Sequence, residues 1–90
     1  MVREGEVWGF EIGDSKNACF HHAMELQKDG AISGLTVKGS DIATKDFAKA
    51  KESDLWRIHP HAQGEWLVLL FEEDRLVCVE EKRYRGPYLP

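Results

Sequence analysis

Hydrophobic and polar residues alternate from Val7 to Ile12, with Trp8, Phe10 and Ile12 on one side and Glu11 on the other. That is the period of a half-buried strand. Gly13-Asp14-Ser15 interrupts it. Asp14 or Ser15 is placed to cap a following helix, because its side-chain oxygen accepts a bond from an orphan N–H of the first turn. From Lys16 to Asp29 the period becomes helical. Cys19, Phe20, Ala23 and Leu26 form one stripe, and His21, Glu25 and Lys28 fall opposite. Gly30 supplies the left-handed stop. Leu35–Lys38 is a short strand or a loop between Gly34 and Gly39. Ser40 or Asp41 then opens a second helix reaching about Ser53, with Ile42, Ala43, Phe47 and Ala50 as its apolar stripe.

The remainder reads as a three-stranded meander: Leu55–His59, the turn-rich stretch Pro60–Gly64, Glu65–Glu72, a tight turn at Glu73-Asp74, and Arg75 to about Tyr84. Trp66-Leu67-Val68-Leu69-Leu70-Phe71 is apolar on both faces, the signature of a central strand covered on both sides. A helix covers one face; covering the other takes the second helix or another subunit. The layout is β-α-(β)-α-β-β-β, an α+β class with two helices on a mostly antiparallel sheet. Residues 1–90 make a single domain, of which 85–90 form an extended tail with no periodicity, suited to docking across a neighbouring subunit or to fraying.

Composition narrows the function. The chain has 42% hydrophobic and 31% charged residues, within the range of folded proteins. Its net charge is -4, from 12 Lys+Arg against 16 Asp+Glu. Only Lys82, Arg83 and Arg85 cluster, so sequence-blind nucleic-acid binding is opposed by repulsion elsewhere. No apolar run approaches the length of a membrane span. Met-Val-Arg-Glu-Gly-Glu at the start is polar and acidic, unlike a signal peptide, and the expectation is a cytoplasmic protein. Cys19 and Cys78 sit among apolar neighbours and read as buried free thiols, with a disulfide as the second reading.

No motif fixes a reaction, and the residues call for no cofactor. His21-His22 and His59-x-His61 are metal-ligand types, but Pro60 separates the second pair and no closed zinc spacing accompanies either. Surface and rim histidines are the alternative, and no metal is expected. Cys19-His22 is the one thiol–imidazole pair at helical neighbour spacing, and Cys19 lies on the core stripe, where a thiol is inert. Glu80 and Lys82 form a Glu-x-Lys at the end of an apolar strand, as in metal-dependent nucleases of the restriction type, where carboxylates hold a divalent metal and the lysine meets the phosphate. Glu65 or Asp74 would have to supply the further carboxylate. The aromatic residues suit interfaces and pockets. Trp8, Phe10, Trp56 and Trp66, with His59, His61, Tyr84 and Tyr88, are the candidate binding residues.

The run Leu55-Trp56-Arg57-Ile58 … Trp66–Phe71 … Val77-Cys78-Val79 … Lys82-Arg83-Tyr84-Arg85 resembles the RelE/ParE toxins over about Leu55–Tyr88. The resemblance implies a strand, two helices and a meander, and an activity of mRNA cleavage on the ribosome. Arg57, Lys82, Arg83 and Arg85 would then face phosphate, and Tyr84 or Tyr88 would stack on a base. The chain departs from that family in carrying Trp66-Leu67 where a basic residue is common, and in its acidic charge. The helix-then-meander pattern is also similar to small modules of the β-lactamase-inhibitor type, which bind proteins and catalyse nothing. The expectation that emerges is a non-enzymatic binding module, a homodimer through an apolar sheet surface or a binder of a small molecule or protein. The alternative is a RelE/ParE-like ribonuclease or a small nuclease using Glu80 and Lys82.

Overall fold

The computed structural model describes residues 3–40, 42–60 and 65–83. The elements run β1 (Glu6–Val7), β2 (Phe10–Glu11), α1 (Lys16–Lys28), β3 (Ile32–Val37), α2 (Phe47–Ala50), β4 (Leu55–Pro60), β5 (Glu65–Glu72) and β6 (Arg75–Arg83). Strands β3-β4-β5-β6 form one antiparallel sheet in sequence order, and β1-β2 form a separate two-stranded hairpin. The α+β class and the closing meander are as the pattern predicts.

Two elements differ in kind from expectation, and β3 begins at Ile32 rather than at Leu35 and ends at Val37. The first strand is folded back on itself. Trp8 and Gly9 both take positive φ, 56° and 85°, as the two central residues of a primed hairpin turn require. The alternation across Val7–Ile12 therefore does not describe one strand: Phe10 is buried, whereas Trp8, at the turn, is 45% exposed. The second helix shrinks to one turn. Side chains over its expected first half take the backbone N–H groups that a helix would use: Ser40 Oγ accepts from Ile42, Thr44 Oγ1 from Asp46, and Asp46 Oδ1 from Ala48. Such local bonds compete with helix formation. Thr44 N–H also reaches Leu35 O, 2.8 Å away, laying the segment along the free edge of β3. The helix begins at the Asp46 cap, and Ile42 is left 79% exposed rather than on an apolar stripe.

Helix α1 follows its pattern closely. Ser15 caps it by accepting from Ala18 N–H. At its end Gly30 N–H bonds Gln27 O and Ala31 N–H bonds Leu26 O, a Schellman stop that needs the positive φ of Gly30. Cys19, Phe20 and Ala23 are buried, and His21, Glu25 and Lys28 are exposed.

Among the described residues the main core cluster lies on the face of the sheet that α1 and α2 cover. Phe20 from α1 meets Phe47 from α2 at 5.3 Å between ring centroids, and Trp56 at 6.2 Å; Trp56 in turn packs on Phe71 at 4.5 Å. Trp56 Nε1 donates to Ala50 O, so the single turn of α2 also closes over this face. Ile58, Leu67, Leu69, Leu76 and Val79 complete it. At the sheet's other edge, Gly13 N–H donates to Leu76 O and Leu76 N–H to Asp14 O, so the chain entering α1 covers the start of β6.

Candidate functional site

Strand alternation sends the remaining side chains of the meander to the face opposite α1 and α2. The register arranges them in rows across the strands. Thr36, Arg57, Val68 and Glu80 are successive cross-strand partners, as are Leu55, Leu70 and Cys78. Trp66 pairs with Lys82 one row further on. A bulge at Leu70/Phe71 adds Val77 beside Cys78, which restores the inward direction of Leu76. Val68 and Cys78 are buried here, while Leu55, Trp66, Leu70 and Val77 are half-buried. No described helix lies over them. A shallow, open depression of about 410 Å³ lies on this face around Arg57, Val68 and Glu80, and a larger one of about 760 Å³ shares Leu55 and Leu70 with it and runs past Val77 and Cys78 around the end of the sheet to Phe71, Val37 and Lys49 of α2. The larger is rimmed by both signs of charge, Arg3, Lys38 and Lys49 against Glu52, Asp54 and Glu72.

The polar groups on this face are few. Glu80 Oε2 pairs with Lys82 Nζ at 3.0 Å. Arg57 makes no side-chain hydrogen bond or ion pair among the described residues, although its neighbours are mostly apolar. His59 Nε2 lies 2.9 Å from Thr36 Oγ1. Burial, and then the Arg57 charge, hold its pKa below the usual histidine value, so the ring is neutral near pH 7.

The expected binding residues do not converge on one cavity. Phe10 and Trp56 are core residues on the helix-covered face. Trp66 is on the opposite face, and Trp8 stands on the β1–β2 turn, near Trp66 and Pro60 at the sheet's end. His61, Tyr84 and Tyr88 lie outside the described residues, as does the 85–90 tail. The hydrophobic pattern identifies Trp66, Val68 and Leu70 as sharing a face. It does not pair them with Leu55, Arg57 and Glu80, because cross-strand register is set by turns and by the bulge.

The catalytic constellations are not assembled among the described residues. Asp74 sits in the β5–β6 turn, at the opposite end of β6 from Lys82. Glu65 alternates to the face opposite Trp66 and Lys82. Burial, with Asp14 and Asp74 nearby, pushes the Cys19 thiol up to about 12, so it is not a thiolate at neutral pH. Its helical neighbour His22 is engaged elsewhere: Nε2 lies 2.7 Å from Trp8 O, where it donates, and its ring meets Phe10 edge-on at 4.8 Å. No three His, Cys, Asp or Glu side chains gather as a metal site among the described residues. Lys16, which the pattern leaves unremarked, is 6% exposed and donates to Lys51 O and to Asp54 Oδ1. It ties α1 to the ends of α2 and β4, a structural task.

The chain matches no family model, no curated protein and no solved structure. Among the described residues no helix is long and apolar enough to cross a membrane.

Proposed function

We propose that this chain is a non-catalytic binding module whose working surface is the helix-free face of its sheet, and that its partner is a second copy of itself. The observation that carries this reading is the apolar set Leu55, Leu70, Val77 and Trp66, half-buried around Val68 and Cys78 with no described helix above them. Leaving such a surface wet forfeits about 25 cal/mol for each Å² of apolar area. Contiguous apolar faces of this kind are the usual sites of association. Both cysteines are free and buried, which suits a reducing compartment and supports a cytoplasmic location.

A small-molecule ligand is the second reading. The depression of about 760 Å³ falls within the size range of ligand sites, and its rim offers charges of both signs.

Leu70→Lys tests the surface directly. Leu70 is half-buried on the helix-free face, so a lysine there reaches solvent without entering the core. Leu70→Lys is expected to keep its circular dichroism spectrum and to lose self-association in sedimentation velocity. A wild-type chain that sediments as a monomer at tens of micromolar, and carries no ligand, would defeat the reading. Cleavage of RNA or DNA, with or without magnesium, that is lost in Lys82→Ala would favour a nuclease instead.

A further inference from the structure

Resting on that reading, we infer that two copies pack face to face about a two-fold axis running along β5, with Arg57 of each copy paired to Glu80 of the other. The inference comes from the order of residues across the sheet. In the row Arg57–Val68–Glu80 a cation and an anion flank an apolar centre at equal spacing, one strand to each side. Strands are about 4.8 Å apart, so the two charges lie about 10 Å from each other. A rotation about β5 exchanges the two sides of the row. It lays Arg57 over the partner's Glu80, Glu80 over the partner's Arg57, and Val68 on Val68.

The rows on either side obey the same operation. Leu70 meets Leu70, and Leu55 meets the Val77–Cys78 bulge. Trp66 meets Trp66, with His59 near Lys82 of the other copy. That contact tolerates a neutral ring and opposes a charged one. Aligned sheets pack about 10 Å apart and cross at about −30°. One strand from the axis, that rotation displaces the charges by only about 2–3 Å, which an arginine side chain absorbs.

An axis running across the strands along this row would instead set Arg57 on Arg57 and Glu80 on Glu80. Like charges facing each other in a desolvated interface are strongly unfavourable. The charge row therefore favours the axis along β5 over the axis along the row. It also accounts for Arg57, a half-buried cation with no ion pair among the described residues. Glu80 keeps its Lys82 contact at the rim and turns its second oxygen to the incoming guanidinium.

Reversing one charge at a time tests the arrangement. Arg57→Glu alone places carboxylate opposite carboxylate in both symmetric contacts, and Glu80→Arg alone places guanidinium opposite guanidinium. Each variant is expected to dimerise at least tenfold more weakly than wild type in sedimentation equilibrium. In an equimolar mixture of the two, the glutamate introduced in one copy faces the arginine introduced in the other, and the remaining native Glu80 faces the remaining native Arg57. The mixture is expected to form a heterodimer within about threefold of wild-type affinity. Recovery in the mixture also shows that both variants are folded. A wild-type dimer with single variants of unchanged affinity, or with no recovery in the mixture of folded variants, overturns this arrangement but leaves the sheet face as the binding surface. A monomeric wild type overturns both.

Discussion

At the scale of single residues, the first hairpin turns on one close approach. Gly9 has φ 85°, and a Cβ built on it would run into the His22 ring at Nε2. Gly9→Ala therefore meets two penalties, a left-handed backbone and a clash with the ring that holds Trp8 O. The expected cost is about 1–3 kcal/mol in urea denaturation. In His22→Ala the clash is gone, so Gly9→Ala should cost less there; equal costs in both backgrounds would show that the ring does not crowd this turn. His59 gives a second test. Its pKa is depressed in the folded chain, so above about 6.5 both folded and unfolded forms are neutral and the group adds no pH dependence. As pH falls below that point the unfolded chain takes up its proton first, and folded stability drops until the lowered folded value is passed. Arg57 beside it, Thr36 from β3 and Trp66 from β5 offer no carboxylate to reverse the sign. The stability of wild type relative to His59→Gln should fall as pH drops below about 6.5; a rise would contradict the burial of this ring.

At the scale of elements, legibility follows how local the determinants are. Helix α1 is readable because stripe, cap and glycine stop all lie within Ser15–Gly30 and agree. The three meander strands are readable from their runs of β-branched, aromatic and aliphatic residues. The first strand misleads because alternation does not register a turn, and Trp8 is an unusual residue to hold positive φ. The second helix misleads because its apolar spacing is helical, while Ser40, Thr44 and Asp46 divert the backbone. The β5–β6 turn follows its expected position but not its ideal chemistry. Glu73 and Asp74 hold φ of 50° and 67°, conformations that Asn-Gly adopts at lower cost. Replacing the pair by Asn-Gly should stabilise the chain by about 1 kcal/mol, seen as a higher urea midpoint with unchanged slope. A lower midpoint would mean that Glu73 or Asp74 supplies something beyond the turn.

At the scale of the whole molecule, the proposed binding role rests on the imbalance between sheet and helix. The run Trp66–Phe71 shows in sequence that both faces of β5 want cover, and one face receives it from α1 and α2. Which side chains would meet a partner is not legible there. That depends on β4 pairing Arg57 with Val68, and on β6 pairing Val68 with Glu80 after a bulge. Neither register nor bulge has a local signal here. The candidate aromatics are likewise scattered between core, turn and helix-free face, because aromatic type alone does not report which face a residue takes. A native mass spectrum of the untreated chain at micromolar concentration weighs the imbalance in one step. The expected result is a species at twice the 10.3 kDa chain mass. A spectrum holding only the bare 10.3 kDa chain, without partner or ligand, would contradict it.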